Sequence, residues 1–249
     1  MNILVTGATG AIGSELARRL DSDGSHIVLI ARDEAKLAAL AAGLRHSTSI
    51  PADLTDASAA QSAIERAWDA AGSLDGFAHC VGSTLVKPLH LTTDGEAAIQ
   101  LQTNYLSAFY SLRAVVALAL KRKHRLSVVL VSSVVAHRGF PNHEAIAAAK
   151  GAVAGLAMSA AATYASRGIR VNVVAPGLTR SGLTARFVAT AEAEARCAAT
   201  IPLARIGEPG DPAALIEFLL SQRSAYLTGQ VITVAGGQGD LQLPLRASA

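Results

Sequence analysis

The chain has 249 residues, of which 51% are hydrophobic and 16% charged, and its formal net charge is +3. That composition excludes a disordered chain and suits a parallel sheet buried on both faces, while the weak, dispersed charge argues against a nucleic-acid partner. Two cysteines, Cys80 and Cys197, allow one bridge at most and point to a reducing, cytoplasmic setting.

Short β-branched runs alternate with alanine-rich stretches along the whole chain, the pattern of repeated βαβ units. Strands are expected at 3–6, 27–31, 47–51, 76–80, 127–131, 170–174 and 230–234, with helices in the intervals. The predicted architecture is one α/β domain over 1–249, a Rossmann-like doubly wound parallel sheet of about seven strands with helices on both faces. The chain starts directly on a strand, so no signal peptide is expected. The apolar run 151–165 is shorter than the roughly 20 residues a membrane span needs and reads as a buried helix. The basic run Lys121 to Arg125 reads as a solvated helix end, its cations at the negative pole of the helix dipole. Two long helical stretches, about 92–123 and 143–166, exceed what a crossover requires and are candidate interface helices. From Pro176 to Pro202 the rhythm breaks into Pro, Gly, Thr and Ser, followed by a short amphipathic piece around 187–199. A lid over a cleft is expected at about 178–201, beyond the carboxyl ends of the strands where such sheets bind ligands.

The first strand ends in Thr6-Gly7-Ala8-Thr9-Gly10-Ala11-Ile12-Gly13, which then opens a helix. Glycines there allow a tight turn and bring helix N-terminal amides to a pyrophosphate, so a nicotinamide dinucleotide is expected. Asp53, with Leu54 beside it, follows the third strand, where its carboxylate can accept from an adenine amino group. The alternative use is a helix N-cap, a role Thr55 or Asp56 could fill instead. The second strand ends in Ala31-Arg32-Asp33, whose guanidinium suits a 2′-phosphate; NADP(H) is therefore preferred, with NAD(H) left open by Asp33.

In order along nearly the whole chain, these blocks resemble the short-chain dehydrogenase/reductase family in its compact branch. The resemblance implies an oxidoreductase in which Ser133, Lys150 and Asn104 are active-site residues and Gly82 follows the fourth strand. Pro176 and Gly177 would flank the nicotinamide, and Thr179 or Ser181 would bond its carboxamide. It also implies a homotetramer or homodimer. Two departures stand out. His79-Cys80-Val81-Gly82 replaces the family's Asn-Asn-Ala-Gly, losing a polar pair that braces the sheet. More severely, the position of the family's catalytic Tyr, four residues before Lys150 and thirteen after Ser133, holds Ile146.

Loss of a positioned general acid costs about 10² to 10⁴ in rate. His143, three residues before Ile146, is the leading substitute because an imidazole titrates near neutrality; its ordinary alternative is a helix-start histidine beside Glu144. A water held by Ser133 and Lys150 is another route, and His79, His137 and Cys80 are weaker ones. No His, Cys or carboxylate cluster has metal spacing. The sequence therefore supports an NADP(H)-dependent oxidoreductase on a small, apolar carbonyl or alcohol. Its competitors are a catalytically impaired NADP(H)-binding sensor or partner protein and a non-redox lyase or isomerase.

Overall fold

Seven strands form one sheet in the computed structural model, which describes residues 1–241; the last eight residues of the expected 1–249 domain lie outside the described residues. In chain order the strands are β1 (Asn2–Thr6), β2 (His26–Ala31), β3 (Ser47–Pro51), β4 (Gly76–His79), β5 (Leu126–Val131), β6 (Ile169–Pro176) and β7 (Val231–Val234). Their spatial order is β3-β2-β1-β4-β5-β6-β7 and every pairing is parallel. The strand order reverses between β1 and β4, which opens a crevice at their carboxyl ends.

Side chains alternate along each strand and feed two cores. On one face Leu4, Phe77, Val128 and Leu130 pack against α3 (Ala57–Ala71), α5 (Ser107–Lys121) and α6 (Glu144–Tyr164). On the other, Ile3, Val5, Leu29 and Val129 meet α1 (Ala11–Ser22), α2 (Glu34–Ala42) and α8 (Gly210–Leu220). Trp68 of α3 is wholly buried in the first core.

The stretch expected as one helix over about 92–123 is divided. A Thr93–Glu96 capping box starts α4 (Asp94–Leu101), a π-helical turn occupies Gln102–Leu106, and α5 follows. Apolar periodicity runs on through such a turn, which is why the sequence reads as continuous; π turns of this kind cluster at functional sites. By length and composition residues 144–167 could cross a membrane, yet α6 lies against β5 and β6 with Ile146, Ala149, Lys150, Val153 and Ala154 buried. After β6 the chain makes an excursion that includes α7 (Ala191–Ala198) before entering α8.

Candidate active site

The turn after β1 is as compact as its glycines allow. Gly7 has φ +65°, and a Cβ built there would lie 2.6 Å from the backbone of Cys80 and Val81. A Cβ on Gly13 would lie 2.4 Å from the Gly7 carbonyl oxygen, so α1 rests on the turn itself. Gly10, at the N-cap, supplies no side-chain acceptor, and the helix ladder starts with the Ser14 amide donating to the Gly10 carbonyl at 2.8 Å. The amides of Ala11, Ile12 and Gly13 are therefore left to a ligand. Thr9 to Gly13 line a cleft of about 780 Å³.

At the rim, the tips of β2 and β3 are joined by an ion pair, Arg32 to Asp53 at 3.8 Å, in which both side chains are substantially exposed. Arg32 is thus held over the β3 end without being buried. Asp33 is committed elsewhere: it caps α2 by accepting from the Lys36 amide at 3.0 Å and pairs with the Lys36 ammonium. Asp56 caps α3, which leaves Asp53 outside the helix and resolves the alternative raised by the sequence. Against the upward pull of burial, the Thr55 amide and hydroxyl and then Arg32 hold the Asp53 carboxyl below the usual range. Leu54 turns its side chain into the core, leaving only its main chain for a ligand.

The expected loss of a sheet brace after β4 is corrected by His79. Its buried ring joins β1 to the start of α5, with Nδ1 2.9 Å from Thr6 Oγ1 and Nε2 3.1 Å from Ser107 Oγ. Ser107 donates to the Thr103 carbonyl, so the consistent tautomer donates from Nε2 and accepts from Thr6 at Nδ1. Both ring nitrogens are used, which removes His79 as a proton donor. Burial, reinforced by Lys150, lowers its pKa from 6.5 to about 3. Between those values the unfolded chain takes up a proton at His79 and the folded chain does not, so stability falls as pH falls, by up to ~1.4 kcal/mol per pH unit. Urea titrations from pH 7 to pH 4 should show a shallower decline for His79→Asn than for the wild type; parallel curves would refute the assignment. Cys80 packs towards the second core, and burial pushes its thiol up to about 12, so it stays protonated.

Gly82 brings Asn104 and Lys150 together: a Cβ there would lie 3.2 Å from both Asn104 Oδ1 and Lys150 Nζ. Asn104, in the π turn, is fully buried. Oδ1 accepts from the Ser83 amide at 3.1 Å, and Nδ2 donates to Ser83 Oγ at 3.1 Å and the Gln100 carbonyl at 3.0 Å, so the amide is occupied by protein. Neither Ser83 nor Gln100 was singled out by the sequence, where they look like ordinary loop and helix polar residues.

Lys150 is no surface lysine. It is 7% exposed, its Nζ donates to the Val131 carbonyl at 2.9 Å, and burial pulls its ammonium down to about 8. The Ser132 hydroxyl donates to the Lys150 carbonyl at 2.8 Å and ties α6 to the end of β5. Ser133 lines the cleft; its Oγ accepts from the Val135 amide at 3.4 Å and reaches the Pro176 carbonyl at 3.5 Å, both long contacts that leave the hydroxyl able to turn to a ligand. Ile146, 3% exposed, lies one helical turn before Lys150 and also lines the cleft. His143 does too, but α6 begins at Glu144, so His143 stands at the N-cap and the three-residue spacing does not put it on the helix face of Ile146. Its Nδ1 is 2.6 Å from the Pro141 carbonyl, an acceptor, which leaves Nε2 for another partner.

Beyond β6, Pro176, Gly177, Thr179 and Ser181 line the cleft. The buried Thr179 hydroxyl donates to the Gly177 carbonyl at 3.1 Å, while Ser181 bonds with Thr184 in a half-exposed turn. Arg180 pairs with Glu194 and Glu208, fastening α7 to the entry of α8. Two further cleft residues escaped the sequence reading. Gln238 accepts from the Leu178 amide at 3.1 Å, and Arg196 projects from α7. Among the described residues no group of three or more His, Cys, Asp or Glu could hold a metal ion.

A family model described as enoyl-(acyl carrier protein) reductase matches residues 7–238. The chain is 33% identical to 2-(S)-hydroxypropyl-CoM dehydrogenase 3 of Xanthobacter autotrophicus, over 94% of this chain and 95% of that protein. It is 35% identical to inactive 2-(S)-hydroxypropyl-CoM dehydrogenase 2 of the same organism, over 89% of this chain and 98% of that one. A solved structure of ElxO with NADP bound superposes with a TM-score of 0.89 at 25% identity, covering 95% of this chain and 98% of that one.

Proposed function

The chain belongs to the short-chain dehydrogenase/reductase family of oxidoreductases, and we propose that it is a cytoplasmic NADP(H)-dependent enzyme acting on a small, apolar carbonyl or alcohol. One observation carries the reading: a single cleft joins the free amides of α1 to the Ser133 hydroxyl and the buried Lys150 ammonium. The fit to a nicotinamide dinucleotide rests on the cradle that a Cβ at Gly7 or Gly13 would fill, on the α1 amides, and on Arg32 at the β2 tip. Thr9 to Gly13 would hold the pyrophosphate, Arg32 a 2′-phosphate, Asp53 and the Leu54 main chain the adenine, and Lys150 the nicotinamide ribose. Gly82, Pro176, Gly177, Thr179 and Ser181 would border the nicotinamide. When bound, the cofactor supplies the hydride.

The protein's part is to hold the carbonyl oxygen and manage its proton. Ser133 Oγ holds the oxygen, and Asn104 positions the Gly82–Ser83 backbone against Lys150. Ile146 has no proton to give. With its Nδ1–H held by the Pro141 carbonyl, His143 delivers a proton from Nε2, directly or through a water, when the ring is an imidazolium, and is left as the neutral imidazole. The excursion over 178–201 acts as the lid of a single domain, and the protein works as a homodimer or homotetramer.

A second reading is favoured by Ile146 together with a 35% identical relative named inactive: a protein that binds NADP(H) without turnover. Calorimetric titration should show NADPH binding more tightly than NADH in either case. A panel of ketones, quinones and enones then separates the two readings. The enzyme reading expects NADPH oxidation that falls about tenfold or more in Ser133→Ala with cofactor affinity unchanged. Binding with no oxidation across the panel sinks it in favour of the second.

A further inference from the structure

The cleft carries a charge pattern that its use of a dinucleotide leaves unexplained. Its substrate side is apolar, with Val134, Phe140, Leu183 and Phe187 in the wall, and no Asp or Glu is among the residues lining it. Arg196 of α7 does line it. Among the described residues Arg196 has no carboxylate within 4.0 Å and no hydrogen-bond acceptor. The other arginines nearby are engaged differently: Arg180 is held by Glu194 and Glu208, Arg205 pairs through both terminal nitrogens with Asp211, and Arg186, also without a carboxylate among the described residues, stacks over the Phe187 ring. An arginine left unpaired beside an apolar wall is a receptor for an anion, because a planar guanidinium binds carboxylates, phosphates and sulfonates through paired charge-assisted hydrogen bonds.

We propose that Arg196 anchors an anionic end group of the substrate, a carboxylate or another tetrahedral or planar oxyanion. The substrate's apolar body then runs along the wall towards Ser133. The cofactor's own phosphates are already provided for on the other side of the cleft. The α1 amides follow β1 and Arg32 follows β2, whereas α7 hangs from β6, separated from β1 by β4 and β5. The substrate of this site is thus an amphiphilic oxo-acid or its hydroxy counterpart, and the lid that carries Arg196 selects for charge at the end remote from the reacting carbon. This rests on the oxidoreductase reading only for the words "reacting carbon"; the anion site itself is a binding property.

The test is therefore a binding measurement. Octanoate and its uncharged counterpart octanamide are titrated calorimetrically into the protein, with and without saturating NADPH. Octanoate should bind, with an affinity that falls about tenfold in Arg196→Met, while octanamide and NADPH bind both proteins alike. Arg196 is exposed and unpaired, so the substitution leaves folding intact. Octanoate that fails to bind, or binds the variant equally well, overturns the proposal. So does a fall in NADPH affinity without a change for octanoate, which would assign Arg196 to a cofactor phosphate. A protein that binds octanoate through Arg196 yet oxidises no NADPH with 7-oxooctanoate or with the ketone, quinone and enone panel would refute the enzyme reading alone.

Discussion

Replacing Ile146 by Tyr should raise kcat/KM for carbonyl reduction, by up to about 10² to 10⁴, the full worth of a positioned general acid, less whatever His143 already supplies. The position is ready for it. Ile146 lies one turn before Lys150 on the buried face of α6, and both line the cleft with Ser133. The larger side chain has open cleft before it, and the phenol would stand near an ammonium fixed by the Val131 carbonyl. That cation favours the phenolate and so lowers the tyrosine pKa from about 10 towards neutrality. Because burial brings Lys150 to about 8, the help is fullest below that pH and fades as pH rises through it. Ile146→Phe supplies the same ring without the proton and should bring no gain. Equal effects from Tyr and Phe, or silence from both, would show that the missing phenol is not what limits this protein.

The parts of this molecule legible in its sequence are those set by local chemistry or fixed register. All seven strands fall where they are predicted, with ends shifted by at most two residues: β1, β2, β4, β5 and β6 are buried on both faces and mostly apolar, while the partly exposed edge strands β3 and β7 are marked by their β-branched residues. Lys150 could be placed by its spacing from Ser133, since Ser133 lies just beyond the end of β5 and Lys150 on α6, and the two elements pack on one another. What stayed hidden depends on partners distant in the chain. His79 looks like a lost brace until Thr6 and Ser107 are seen on either side of its ring. Asn104 looks free until the π turn brings it onto Ser83 and Gln100. Arg196 reads as an ordinary solvated arginine behind Glu192 and Glu194, and only its place in a cleft lined by no Asp or Glu gives it meaning.

Substituting Gly7 by Ala should destabilise the fold by about 2–5 kcal/mol and remove cofactor binding with it. Two costs combine. A left-handed φ of +65° costs a residue with a Cβ roughly 1–2 kcal/mol, and a methyl group forced to within 2.6 Å of the Cys80–Val81 backbone adds about 1–3 kcal/mol of overpacking. Backbone cannot rotate aside as a side chain can, so the end of β4 must move away from the end of β1. The displaced segment is the one that leads to Gly82, and through it to Asn104 and Lys150. Gly24→Ala separates the two costs, because Gly24 has φ +76° but nothing within 4 Å of its Cβ position. Urea unfolding of both variants should place Gly24→Ala near the conformational cost alone and Gly7→Ala well beyond it. Calorimetric titration should find NADPH binding kept in the first and lost in the second. Equal destabilisation would mean that the turn tolerates the methyl, and the tight junction of β1 with β4 could not then be what shapes the dinucleotide cradle.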